Sequence, residues 1–123
     1  MTIERITMGA KGEELAAGLL ERKGYLILEK RYRYGKKEID IIARDKRTLV
    51  FVEVKSRSRQ GALPPYLSVN IRKQSRILKV AKAYLASHPL SEGTEVRFDV
   101  ISVIISPDGK HNVEHMIDAF KPF

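Results

Sequence analysis

Two apolar runs joined by a four-residue polar turn constrain this chain more than any other feature. Ile39 to Ala43 and Thr48 to Val54 are rich in β-branched residues, and the polar Arg44-Asp45-Lys46-Arg47 between them is short enough for a hairpin. The spacing predicts two antiparallel strands with side chains alternating between faces. On the second strand Leu49, Phe51, Glu53, Lys55 and Arg57 share one face, and Val50, Val52 and Val54 the other. On the first, Glu38, Asp40 and Ile42 fall together. Charged groups are thereby carried into an apolar sheet, where an isolated charge is costly unless it is paired or meets a metal. Antiparallel pairing brings Asp40 close to Glu53, and two adjacent carboxylates repel unless a cation lies between them. A hard divalent ion held by oxygen ligands meets that need. The competing reading is a solvated strand face with no chemistry.

A length of 123 residues suits a single domain spanning 1–123, large enough for a core without staples. With 43% hydrophobic and 31% charged residues, the composition is that of a globular protein rather than a disordered one. The net charge of +8 points to an anionic partner: nucleic acid is the commonest one for a small domain, and charge alone does not separate it from an anionic membrane surface. No apolar run reaches about 18 residues and no basic start precedes an apolar stretch, so neither a spanning helix nor a signal peptide is expected, and the expected location is cytoplasmic. The absence of cysteine excludes disulfides, thiolate zinc sites and a cysteine nucleophile.

Along the chain, Met8 to Lys23 has helical spacing closed by Gly24. Glu13 shares a face with Ala16, Ala17 and Leu20, so it either sits at the rim near the positive helix start or reaches the site. Tyr25 to Lys30 reads as a strand, and Arg31 to Lys37 as a basic, aromatic connection into the hairpin. Arg31, Arg33, Lys36 and Lys37 suit phosphates there, with Tyr32 or Tyr34 stacking on a base; alternatively the run is solvated and its tyrosines pack on the core. Ser56 to Tyr66 loses periodicity and gathers Gly and Pro, as a mobile loop that closes over a substrate or merely connects.

A second helix is expected from Asn70, as N-cap, to Ser87, with Pro89 just beyond. Ile77, Leu78, Ala81 and Leu85 form its expected core stripe. Arg72, Arg76 and Lys79, flanked by Lys73 and Lys82, form a basic ridge that is either solvated surface or a nucleic-acid contact. Glu95 to Ile105 is a long apolar strand, Ser106 to Gly109 a turn and His111 to Ile117 a last strand. Asp99 is expected to pair with Arg97 or a backbone donor. His88, His111 and His115 lack metal-ligand spacing and read as surface or edge residues. The tail Asp118 to Phe123 is apolar enough to dock, with a second subunit as one surface for it.

Asp40, a spacer and Glu53-Val54-Lys55 together resemble the Asp…(Glu/Asp)-x-Lys signature of restriction-endonuclease-like nucleases. More closely, Gly12-Glu13 with Ala16 and Ala17, Gly24-Tyr25, Glu38-Ile39-Asp40, Phe51 to Arg57, Lys73, and Arg97-Phe98-Asp99-Val100 resemble the YraN family of small bacterial proteins, over nearly the whole chain. The chain departs from that pattern at Lys37, where the family usually carries Gly, and at Arg31, where it usually carries Asn.

The resemblance implies an α/β fold with a restriction-endonuclease-like three-layer core, a mixed central sheet flanked by helices, in the order α-β-β-β-α-β plus a C-terminal strand. Through its likeness to archaeal Holliday-junction resolvases, it also implies a DNA substrate, branched or junction DNA included, with Mg²⁺ as cofactor (Mn²⁺ as the alternative) and room for a homodimer. Carried onto this chain, Asp40, Glu53 and the Val54 carbonyl hold the metal, Lys55 orients the attacking water, and Glu13 is an outer ligand or supports one. Arg31, Arg33, Lys36, Lys37, Arg57, Arg72, Lys73 and Arg76 are the candidate phosphate contacts. A non-catalytic nucleic-acid binder that keeps the nuclease fold is the rival expectation.

Overall fold

The computed structural model describes residues 3–58 and 70–121, with side chains from residue 8 onward. Helix α1 (Ile3–Arg22) leads into strands β1 (Leu26–Tyr34), β2 (Lys37–Asp45) and β3 (Thr48–Arg57). Helix α2 (Ile71–Ser87), β4 (Glu95–Ile105) and β5 (His111–Met116) follow. The strands form one sheet in the order β1-β2-β3-β4-β5, antiparallel except where β3 meets β4. A parallel neighbour requires a crossover, and α2 lies in it. The mixed sheet, its two helices and the order α-β-β-β-α-β-β agree with the expected fold class.

Alternation along the strands decides which helix each side chain meets. Leu49 and Phe51 of β3 join Ile42 and Phe98 beneath Ile77, Val80, Ala81 and Tyr84 of α2. Val50 and Val52 point the other way, with Ile41, Ala43 and Ile101, onto Ala16, Ala17 and Leu20 of α1. Fully burying a side chain such as Leu20 contributes about 2 kcal/mol. Small residues let α1 lie close: a Cβ on Gly12 would stand 1.7 Å from Ser56 Oγ, so the helix touches the end of β3 there. Gly24, at φ 91°, ends the helix, and the Tyr25 N–H returns to the Leu20 carbonyl. At α2, the Asn70 side chain accepts from the Lys73 N–H at 2.9 Å as the expected N-cap.

Four details differ from the sequence reading. First, α1 begins at Ile3, not Met8. Second, the basic segment from Arg31 is the second half of β1, followed by the turn Gly35-Lys36, rather than a connection. Cations tolerate an edge strand because their side chains reach water. Third, the core stripe of α2 is Ile77, Val80, Ala81 and Tyr84, with Leu78 and Leu85 only half-buried. The aromatic surface of the sheet selects this face: Tyr84 meets Tyr32 edge-on at 5.1 Å and Phe51 at 6.0 Å. Fourth, the tail docks on its own sheet. The Ala119 N–H donates to the Phe98 carbonyl at 2.8 Å, and the Phe120 ring lies 5.4 Å from that of Phe98. Most of the Gly- and Pro-rich loop, from residue 59, lies outside the described residues.

Candidate active site

The candidate acids stand where β2 leaves β3. Their ladder runs from Asp45↔Thr48 to Ile41↔Val52. One residue further along β2, the Asp40 carboxylate instead accepts the Val54 N–H at 2.7 Å. On the opposite flank, β1 pairs Lys30 with Ile41 and Tyr32 with Ile39, and between them Arg31 adopts φ 52°. A left-handed residue inside a strand is unfavourable for anything but Gly, Asn or Asp, so this distortion beside Asp40 is held in place by tertiary structure.

Glu53 is 9% exposed, on the α2 face of β3, with Lys73 Nζ 3.1 Å from its Oε1. Burial, then the charge of Glu53, pushes the Asp40 carboxyl up to about 8, against the smaller opposing effect of the Val54 N–H. Burial, followed by Lys73, lowers Lys55 to about 8. Burial would lower Lys73 as well, but hydrogen bonding to Lys55 and the pull of Glu53 leave it raised, so Lys55 is the first of the two amines to lose its proton. The arrangement is two acids and two amines in contact, with Asp40 set against a second carboxylate.

Asp40 borders two clefts. One of about 430 Å³ is lined by Lys36, Lys37, Glu38, Asp40, Glu53, Lys73, Arg76 and Ile77. The other, of about 330 Å³ on the α1 side, is lined by Ala10, Glu13, Glu14, Lys30, Arg31, Asp40 and Ile41. A third cleft of about 370 Å³, between Arg44, Arg47, Tyr84 and His88, lies at the far end of the hairpin and gathers no acid pair.

The structure thus brings Asp40, Glu53, Lys55, Lys73, Lys36, Lys37 and Arg76 together. Glu13 borders the second cleft, but Arg31 Nε donates to its Oε2 at 2.6 Å. Arg33 is turned to Glu38 at 3.3 Å, Arg72 is exposed on the first turn of α2, and Arg57 closes β3 half-buried and with an interaction of its own. Among the described residues, no three acidic, histidine or cysteine side chains are gathered to hold an ion. The available protein set is therefore a carboxylate pair.

His115, expected as a surface or edge residue, does lie on the edge strand β5, but its side chain points inward rather than to the surface. Its side chain is 2% exposed, and Nε2 lies 2.7 Å from Asp99 Oδ2. Alternation in β5 carried the signal, since His115 shares a face with Val113, which packs against the α1-side core. Asp99 pairs with Arg97 at 2.8 and 2.9 Å and accepts the Asp118 N–H at 2.9 Å, as both expected alternatives required. Lys79, part of the basic ridge expected on α2, lies beside Lys37, and contact with it, followed by burial, lowers the Lys37 amine.

A family model described as Uncharacterised protein family UPF0102 matches residues 12–103. The UPF0102 protein of Syntrophus aciditrophicus is 45% identical over 118 residues, 96% of this chain and 91% of that one. Those of Geobacter sulfurreducens and Pelobacter propionicus are 44% and 42% identical, over 93% and 92% of this chain and 88% and 81% of theirs. Among solved structures, the chain is similar to Pyrococcus furiosus SfsA in complex with Ca²⁺, at 13% identity and a TM-score of 0.38. That match covers 92% of this chain but only 63% of the other, too distant a likeness to bear on chemistry. Among the described residues, no helix is long and apolar enough to cross a membrane.

Proposed function

The chain belongs to the UPF0102 family, the YraN family of the sequence resemblance, and we propose that it is a metal-dependent nuclease hydrolysing phosphodiester bonds of DNA, branched or junction DNA included. The observation that carries this reading is the Asp40–Glu53 pair: two carboxylates pressed together at the wall of a cationic cleft, one of them held up to about 8 by burial and by its neighbour. Mg²⁺ fits such a donor set. It binds through one or two carboxylates and fills the rest of its octahedron with water and substrate phosphate, so a third acid is not required. The Val54 carbonyl is the remaining protein oxygen assigned to it. Bound there, the ion would polarise a phosphoryl oxygen and acidify a water.

The chain's own residues do the rest. Asp40 gives up its proton when a cation arrives. Lys73 fixes the Glu53 carboxylate in orientation. Lys55, one step along the same strand face, aligns the attacking water and balances charge developing on the phosphorus oxygens. Lys36, Lys37 and Arg76 neutralise phosphates beside the reacting one. Glu13, held by Arg31 on the other flank of Asp40, acts through the electrostatics of that acid rather than by direct ligation.

The test is calorimetric titration of Mg²⁺ and Mn²⁺ into wild type, Asp40→Asn and Glu53→Gln, paired with cleavage of labelled linear, nicked and four-way-junction DNA. Wild type should bind one ion and cut at least one substrate, and each variant should lose more than about a hundredfold in rate, beyond the loss typical of groups that merely support a ligand. Cutting at full rate by either variant would falsify the assignment. A second reading, a non-catalytic nucleic-acid binder, is favoured by the Lys73 ammonium already bridging Glu53. It expects DNA binding that weakens steeply with salt and is indifferent to Mg²⁺.

A further inference from the structure

We propose that Tyr34, Lys37, Arg76 and Lys79 form a nucleotide subsite that takes an unpaired nucleotide beside the cleaved bond, so that the preferred DNA has a single-stranded or frayed segment at the cleft. The inference rests on the nuclease reading for what happens at Asp40, but the subsite stands on its own geometry.

Tyr34 and Lys37 are register partners across the turn Gly35-Lys36, so their side chains project from the same face of the hairpin. That face is the one α2 covers. Tyr32, two residues before Tyr34, packs on Tyr84 of α2, and Lys37 meets Lys79 of the same helix. The two tyrosines have different fates. Tyr32 is taken up by the core, whereas Tyr34 is 57% exposed and pairs in register with Lys37, which lines the cleft.

The cations beside it are unusual in their company. Lys37 and Lys79 lie close enough for one ammonium to disfavour the other, and Arg76 adds a third positive charge to their surroundings. None of the three enters an ion pair among the described residues, whereas Arg31, Arg33, Lys73 and Arg97 all do. Like charges converging without a counter-charge are relieved by an external anion, and a phosphate with several acceptor oxygens can serve all three donors.

Lys37 and Arg76 line the same cleft as Asp40 and Glu53, so the subsite is continuous with the acid pair. From Lys73, which touches Glu53, to Lys79 the helix rises about 9 Å. The clamp therefore serves a neighbouring phosphate, not the one at the acids. An aromatic ring next to a phosphate clamp reads the face of a base. In a duplex the faces are stacked and only the edges are available, so the pairing of Tyr34 with this clamp selects a base that is out of the stack.

The experiment uses the full-length wild-type chain in EDTA, with fluorescence anisotropy on a labelled single strand, the blunt duplex of the same sequence, and a forked duplex. Tyr34→Ala should weaken single-strand and fork binding about tenfold and leave the blunt duplex within about twofold. Lys37→Gln combined with Lys79→Gln should reduce the salt slope of single-strand binding by about one to two. Both sets replace exposed or half-buried surface side chains, and their melting curves should overlay wild type. Equal losses on all three DNAs, no loss with Tyr34→Ala, or no single-strand binding by wild type each overturn the subsite. Because the assay contains no metal, failure to cleave in Mg²⁺ leaves the subsite intact. Conversely, cleavage with no Tyr34 effect removes the subsite but not the nuclease.

Discussion

Asp40 and Asp99 are both aspartates on strands of one sheet, and they are opposites. Asp99 is completely buried yet fully answered: Arg97 grips it with two nitrogens, His115 Nε2 meets it at 2.7 Å, and the Asp118 N–H completes its shell. Burial by itself would raise its carboxyl, but the bonds from His115, Arg97 and Asp118 hold it below the usual carboxylate range. Asp40, less buried, accepts the Val54 N–H and otherwise faces another carboxylate, and it is pushed up to about 8. The contrast separates two uses of a buried acid. One whose lone pairs are met inside the protein is a structural clamp, here tying β4 to β5 and to the chain after β5. One that is held protonated against a second carboxylate at a cleft is poised to exchange that proton for a cation from outside.

The largest effect expected from this contrast is at the clamp. Asp99→Ala strips buried His115 Nε2 of its partner and leaves half-buried Arg97 only Asp45 at 3.8 Å and the Tyr25 hydroxyl, which should cost about 3 kcal/mol, read as a lower urea midpoint with an unchanged slope. A loss below about 1 kcal/mol would mean that Asp99 is no clamp. The poised acid should behave in the reverse sense. An unfolded aspartate titrates near 3.9 and folded Asp40 near 8, so between those values the folded chain keeps a proton that the unfolded chain has released. Stability is therefore lost through this residue as pH rises from about 4 to about 8. Asp40→Asn removes that loss and should raise Tm at pH 8.5 in metal-free buffer, with the gain vanishing toward pH 4. A variant destabilised equally at both pH values would erase the distinction between the two acids. The smallest effect belongs to Arg31, strained at φ 52° beside Asp40. Arg31→Asn relieves left-handed strain of roughly 1 kcal/mol. It also gives up an exposed ion pair with Glu13, worth about 0.5 kcal/mol. A net gain of about 0.5 kcal/mol in chemical denaturation is the expected balance.

The helices, the hairpin and the approach of Asp40 to Glu53 were legible because each is written in local periodicity. Alternation in β3 sorted Phe51 and Glu53 from Val50 and Val52, and antiparallel pairing needed only the short turn at Lys46-Arg47 to set the register. The second half of β1 was not legible as strand. Its alternation is masked by charge, and only pairing with β2 and the packing of Tyr32 on Tyr84 make it one. The nominated cations were likewise uniform in sequence and unequal in space. Arg31 and Arg33 are answered by Glu13 and Glu38, whereas Lys37 and Arg76 face the cleft with no carboxylate partner among the described residues.

By itself the sequence determined the family, the order of elements and which residue types enter the sheet, since these follow from spacing and turn chemistry over a few residues. Tertiary structure alone decided which buried acid is satisfied. Asp99 finds His115 sixteen positions away and Asp118 nineteen away, across a strand pair, while Asp40 finds Glu53 on the neighbouring strand and Lys73, which steadies Glu53, on a helix beyond it. A pKa is set by the groups within a few ångströms, and such neighbours are chosen by packing, not by position in the chain.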